Sequence, residues 1–290
     1  MNPIRSLLLC TPTFERHVQS ALGSLADAVV LDLETTIAEA EKSEAREVAR
    51  KVMAGKHRPD IFIRINEIDS PHVLDDLLAL QTQGVRGLML PQAEDRRQII
   101  ALDWLLSRLE QRYSRARPIE IIPLVETARG VEELGGVLSA SPRIRQATFG
   151  VADYAFDTGI RVSRDESELA YIRMRLVHAS KAAGLQPPID TVWLDLNDSE
   201  GMQQALARSK REGFAGRLCI HPKQAELVNQ AFTPTVEEVA NALKIVQAFE
   251  AAMKNNIAAI RIDGKLVDLP IVRSAQRIID LAKISSEPNP

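Results

Sequence analysis

The chain has 290 residues, enough for one large domain or two small ones. Hydrophobic residues make up 45% and charged residues 26%, a balance that excludes disorder. The 36 basic and 39 acidic residues leave a net charge of −3 with no basic excess for nucleic acid. The longest apolar runs, such as Ala28–Leu31 and Ile121–Val125, are strand-sized and exclude a membrane span.

The first residues, MNPIRSLLLCTP, run straight into an apolar strand without the pattern of a cleavable leader. Cys10 and Cys219 sit inside apolar runs, so reduced core thiols in a cytoplasmic protein are expected. Strands are predicted at Ser6–Cys10, Ala28–Leu33, Ile61–Ile65, Gly87–Leu90, Ile119–Val125, Gln146–Val151, Thr191–Leu196 and Arg217–Ile220. Their apolar character is nearly continuous, as in parallel strands covered on both faces. Helical spacing of apolar residues falls between them, at Ser43–Met53, Leu74–Gln83, Arg96–Arg112, Val131–Ala140, Glu166–Ala183 and Glu200–Gly213. Gly84, Gly184 and Gly213 stand where C-terminal caps are wanted. Eight such units in roughly 250 residues predict a (β/α)8 TIM barrel over residues 1–230. The competing open doubly wound sheet usually carries a glycine-rich turn after its first strand, where this chain reads Cys10-Thr11-Pro12-Thr13.

Residues 231–290 exceed what a barrel needs and are predicted as a C-terminal helical extension. Thr235 and Glu238 form a capping box before a helix over Val236–Lys254, Asp263-Gly264 reads as a turn, and Pro270 opens a last helix.

Polar residues collect where a barrel places its chemistry, at the C-terminal strand ends: Asp32 and Glu34, Arg64 and Asn66, Glu126 and Thr127, Asp153, Asp195 and His221. Carboxylates converging there repel one another unless a cation sits among them, and an oxygen-liganded Mg2+ ion fits that donor set. No histidine cluster or CxxC pair favours zinc. Each residue also has a plainer reading. Asp32, Glu34 and Asp153 could cap helices, Arg64 could serve as an ion-pair partner, and His221 could be a core histidine.

Several segments together resemble the citrate lyase β-subunit family of the HpcH/HpaI aldolase superfamily. They are RSLLLCTP (5–12), ADAVVLDLE (26–34), IRIN (63–66), LMLPQAE (88–94), PLVETARG (123–130), FGVADYAFDTG (149–159), GFAGRLCIHPKQ (213–224) and DGKLVDLP (263–270). The resemblance implies a magnesium-dependent lyase that breaks a carbon–carbon bond beside a thioester. Short acyl-CoA substrates are expected, (3S)-citramalyl-CoA or malyl-CoA first. The alternatives are a citryl-acyl carrier protein lyase subunit and a non-catalytic CoA- or metal-binding subunit. It implies Glu126 and Asp153 as metal ligands, Arg64 and Asp268 as catalytic residues, and Arg64, Arg16, Glu34, Asp32, Leu218 and Cys219 around substrate and CoA. It further implies a homo-oligomer, trimer or hexamer, with Asp268 delivered from an adjacent subunit. Three departures stand out: Thr35 replaces an acid, Gln92 replaces a lysine, and Thr11 replaces a proline-glycine turn residue.

Overall fold

The computed structural model describes residues 4–80, 84–255 and 257–286. Eight parallel strands alternate with helices along the chain: β1 (Ser6–Cys10), α1 (Glu15–Leu22), β2 (Ala28–Asp32), α2 (Lys42–Ala54), β3 (Asp60–Arg64), α3 (Val73–Ala79), β4 (Gly87–Leu90), α4 (Arg96–Arg112) and β5 (Glu120–Val125). The series continues through α5 (Ala128–Glu132), α6 (Leu134–Leu138), β6 (Thr148–Phe149), α7 (Val151–Thr158), α8 (Ala170–Ala182), β7 (Ile189–Asp190), α9 (Ser199–Glu212), β8 (Gly216–Cys219) and α10 (Pro222–Phe232). The strand order β6-β5-β4-β3-β2-β1-β8-β7 is that of a TIM barrel cut open at one seam. No ladder joins β7 to β6 among the described residues. The Ile189 amide donates to the Ala147 carbonyl at 2.9 Å across that seam, and the Val151 amide to the Thr191 hydroxyl at 3.1 Å.

Side chains alternate between the two faces of a strand, so one parity fills the interior. Leu7, Ala28, Val30, Phe62, Met89, Ile122, Leu124, Ile189 and Leu218 form that packed centre. Both cysteines are free, and burial pushes the thiols up, Cys10 to about 11 and Cys219 to about 12.

The seventh strand departs from its expected span of Thr191–Leu196. It comprises only Ile189 and Asp190, and the V-W-L-D-L alternation beyond it finds no partner strand. Leu194 and Leu196 are 62% and 54% exposed, and Asp195 turns its carboxylate back onto the Asn197 amide at 2.9 Å. Asp195 is therefore a turn residue and not a strand-end carboxylate. The helix expected over Val131–Ala140 is split into α5 and α6 at Glu133, while α1 and α10 had no counterpart in the sequence reading. The expected helix over Leu74–Gln83 runs only over Val73–Ala79, and residues 81–83 lie outside the described part. Gly213 caps α9 with φ of 100°, a left-handed conformation that glycine adopts without a Cβ clash.

Outward from β7 and β8 lies a buried charge network. Asp190 accepts from Arg173 at 3.2 Å, from Arg217 at 3.3 Å and from the Ser209 hydroxyl, while Glu166 binds Arg173 at 2.5 Å and Arg217 at 2.7 Å. Burial alone would raise the Asp190 carboxyl, but Arg217 and Arg173 outweigh it and hold it below the usual range. A depressed folded-state pKa stabilises the fold above the unfolded value, and that contribution is lost as pH falls through the folded value. Asp190→Asn leaves two arginines underpaired at a site with no solvent access, at a cost of about 3–5 kcal/mol. The expected result is a melting temperature about 10 °C lower at pH 7, with the gap to the parent protein narrowing below about pH 4 in thermal melts.

Among the described residues, those before Gln230 form the barrel and those from Gln230 onward form one compact unit. It contains α11 (Val236–Met253), an antiparallel hairpin of β9 (Ile260–Ile262) and β10 (Lys265–Val267), and α12 (Leu269–Ser286). The Thr235–Glu238 capping box is present, with both reciprocal bonds near 3 Å. Asp263 and Gly264 turn the hairpin with positive φ at both positions, and α11 and α12 pack through Ala242, Ala275 and Ile279. No described helix is long and apolar enough to cross a membrane.

Candidate active site

Strand parity explains which polar residues enter the barrel mouth. Ala28 and Val30 point inward, so Asp32, the last residue of β2, does too; Phe62 carries Arg64 inward in the same way, and Ile122 and Leu124 carry Glu126. Asp32 stands directly opposite Arg64 in the β2–β3 ladder, and Glu126 follows the last residue of β5.

Arg64 is buried and nearly fully engaged. Its Nε and Nη2 fork onto Asp32 at 2.7 and 2.6 Å, Nη2 also donates to the Thr35 hydroxyl at 2.9 Å, and Nη1 pairs with Glu34 at 3.0 Å. Of the five N–H donors of a guanidinium, these hydrogen bonds use the three on Nε and Nη2, while Nη1 meets Glu34 as an ion pair. Asp32 also accepts from the Glu34 amide and the Thr36 hydroxyl. Its carboxyl stays below the usual range even though burial opposes this, because Arg64 and these donors favour the charge. Asp32 therefore holds the Arg64 guanidinium in place. Thr35, the departure that removes an acid, keeps an acceptor on Arg64 without adding charge.

Glu126 is only 3% exposed, and one amide, that of Gln92, donates to its Oε2 at 3.0 Å. Burial pushes its carboxyl up to about 8, and the nearby charges of Asp153 and Glu34 add to the rise while the Gln92 amide and Arg64 oppose it. Glu34 is likewise raised, first by burial, with Asp32 and Asp153 contributing against Arg64. Asp153 is exposed on the first turn of α7, and its charge acts on both glutamates. The structure thus brings Asp32, Glu34, Arg64, Glu126 and Asp153 together: four carboxylates around one guanidinium.

Backbone geometry supports this cluster in ways that residue type did not disclose. Gln92 adopts φ of 48°, which aims its amide at Glu126, so the residue that replaces a lysine contributes through its main chain. A Cβ on Gly150 would lie 2.6 Å from Glu126 Oε1, so only glycine leaves that oxygen its place.

The excess negative charge and the scarcity of protein donors on Glu126 suit a hard divalent cation with oxygen ligands. Glu126 and Asp153 are the carboxylates available to it, since Asp32 is spent on Arg64. No group of three His, Cys, Asp or Glu side chains forms a metal cage among the described residues, so an ion held here keeps positions for water and substrate.

Other expected site residues fall elsewhere. Arg16 is exposed on α1 and lines a cavity of about 410 Å³ with Leu9, Thr11, His17, Ser20 and His221 at the β1 and β8 ends. Leu218 is opposite Leu7, which is opposite Ala28, four residues below Asp32, and it belongs to the packed centre. Cys219 has the outward parity and no exposure. Neither side chain is brought to the mouth. Asp268 lies in the C-terminal unit, at the junction of β10 and α12, where its carbonyl accepts the Val272 amide.

The model of the HpcH/HpaI aldolase/citrate lyase family matches residues 6–222. The chain belongs to this family. It is 32% identical over 262 residues to the citrate lyase subunit beta of Leuconostoc mesenteroides subsp. cremoris, covering 89% of this chain and 86% of that one. The mitochondrial citramalyl-CoA lyase of Rattus norvegicus is 29% identical over 295 residues, covering 97% and 86%. The crystal structure of CitE from Mycobacterium tuberculosis in complex with magnesium, acetoacetate and coenzyme A is 29% identical. It aligns with a TM-score of 0.79, covering 96% of this chain and 98% of that one. Membership of this family makes the chain a carbon–carbon lyase.

Proposed function

We propose that the chain is a magnesium-dependent lyase that cleaves (3S)-citramalyl-CoA to acetyl-CoA and pyruvate. The observation that carries this reading is the mouth itself, where the carboxylates of Glu126 and Asp153 gather beside the Arg64 guanidinium, whose Nη1 is held by Glu34 as an ion pair. The magnesium found in the CitE complex supports the ion, and the name of the rat relative supports the thioester.

Cleavage removes the proton of the tertiary hydroxyl and breaks the bond between the carbinol carbon and the thioester α-carbon. The carbinol carbon becomes the keto carbon of pyruvate, and the bond's electron pair moves into the thioester enolate. Glu126 and Asp153 would hold the magnesium ion, which would lower the hydroxyl pKa and help orient the hydroxyl and its neighbouring carboxylate. Arg64 offers an Nη1 hydrogen to the enolate oxygen, and Asp32 fixes the guanidinium plane so that this donor needs no reorganisation. Asp268, as the carboxylate, takes the hydroxyl proton and returns it to the α-carbon, giving acetyl-CoA. In this reading Asp268 comes from an adjacent subunit of a homotrimer or hexamer, and the Arg16 cavity takes part of the CoA, its guanidinium facing a phosphate.

A second reading, a citryl-acyl carrier protein lyase subunit, is favoured by the likeness to the Leuconostoc protein. Purified chain incubated with citramalyl-CoA, malyl-CoA and citryl-CoA, with keto acid measured, decides between them. Pyruvate release that stops with a chelator and returns with magnesium is the expected result. Oxaloacetate released only when the citryl group rides on carrier protein selects the second reading, and no keto acid from any thioester rejects both.

A further inference from the structure

Behind the mouth, a buried ammonium joins the ends of two catalytic strands. Lys42, at the start of α2, is 8% exposed and has no carboxylate within ion-pair distance among the described residues. Its Nζ donates to the Leu33 carbonyl at 3.0 Å, to the Glu34 carbonyl at 3.1 Å and to Asn66 Oδ1 at 2.6 Å, which uses all three ammonium hydrogens. Burying a charge with no counter-ion is costly, and an apolar side chain would fill the same space more cheaply. The placement therefore calls for a reason other than stability.

That reason lies in the backbone. Successive carbonyls of an extended strand point to opposite sides, so two consecutive carbonyls meeting one ammonium end the pleat at Leu33 and Glu34. Leu33 still donates its amide to the Arg64 carbonyl at 2.9 Å, so the β2–β3 ladder stops there and the chain turns. The turn carries the Glu34 carboxylate onto Arg64 Nη1 at 3.0 Å. Asn66, two residues beyond Arg64, also donates to the Leu33 carbonyl at 2.9 Å, and buried Asp76 anchors it at 2.7 Å. The ammonium thus ties the strand end bearing Glu34 to the one bearing Arg64.

We propose that Lys42 is a positioning residue for the lyase reaction: clamping the ends of β2 and β3, it holds the Glu34 carboxylate against Arg64 Nη1 and so sets how that nitrogen is presented to substrate. This rests on the role given to Arg64 above. Lys42→Met is expected to lower kcat about 100-fold with KM for the thioester changed less than about threefold. In a Glu34→Gln background, where the held contact is already altered, the same substitution is expected to cost less than about threefold more. A crystal structure of Lys42→Met is expected to lose the Glu34–Arg64 contact and keep the Asp32–Arg64 fork. This arm does not depend on turnover, so a parent protein that cleaves no thioester sinks the lyase reading and leaves the clamp testable. An unchanged kcat, full additivity with Glu34→Gln, or an intact Glu34–Arg64 contact overturns the proposal. Lys42→Gln, which keeps two donors, serves if the methionine variant does not fold. If neither folds, Lys42 belongs to the framework alone, which also overturns it.

Discussion

Glu126→Gln and Asp153→Asn are each expected to abolish magnesium binding and thioester cleavage together. Both substitutions keep side-chain volume and remove the charge that a divalent ion needs. Loss of the ion's stabilisation of developing charge is worth several kcal/mol, or at least about 1,000-fold in kcat/KM. Titration calorimetry with magnesium chloride alone separates lost binding from lost chemistry. Unfolding is not the expected cause. Glu126 is a carboxylate that burial already disfavours, with its carboxyl pushed up to about 8. Its neutral form is the one the fold prefers, so stability associated with that form is present at low pH and lost as pH rises through about 8. The glutamine variant should melt at or above the temperature of the metal-free parent at pH 8.5. Either variant retaining full activity, or binding magnesium normally while inactive, would remove the pair from the role of ligands.

Arg64→Lys is expected to reduce kcat by about 100- to 1,000-fold with a smaller change in KM. Lysine keeps the positive charge beside Asp32, so the buried carboxylate is not left alone, but a single ammonium cannot reproduce the fork to Asp32, the contact to Glu34 and an aimed donor at once. The interaction at stake strengthens only as charge moves onto the thioester oxygen, which is why the loss should fall on turnover. Steady-state kinetics with the preferred thioester measure it. A raised KM at unchanged kcat would recast Arg64 as a residue that holds ground-state substrate.

Much of this site could be read from the chain because period-two alternation fixes direction. Once Val30, Phe62 and Leu124 are assigned to the interior, Asp32, Arg64 and Glu126 must follow them to the mouth. The same alternation misled at Thr191–Leu196. Its pattern is that of a strand, yet strand pairing depends on a neighbour's hydrogen bonds, and these end with Asp190 opposite Arg217. Leu218 and Cys219 illustrate a second limit, since depth and facing depend on register with β1, which the motif around them does not encode. Contributions made by the main chain were invisible for another reason. Gln92 acts through an amide aimed by a left-handed backbone, and Thr35 acts as an uncharged acceptor on an arginine that composition alone would leave free.

The unladdered junction of β6 and β7 bears on how the centre tolerates change. Seven of the eight strand junctions are stitched by regular backbone pairing, whereas this one is crossed by separate bonds, from the Gln186 and Ile189 amides to the Arg145 and Ala147 carbonyls, from the Gln146 side-chain amide to the Pro187 carbonyl and from the Val151 amide to the Thr191 hydroxyl. The first amide of α7 is held by that hydroxyl, and Asp153 follows two residues later. The one junction without a ladder therefore lies beside Asp153, while Glu126 follows β5, which is laddered on both sides. If the two carboxylates hold an ion as proposed, the ring meets that ion through one wall of continuous pairing and one of separate hydrogen bonds, and Asp153 is the side on which a change of ligand distance disturbs the fewest ladder bonds.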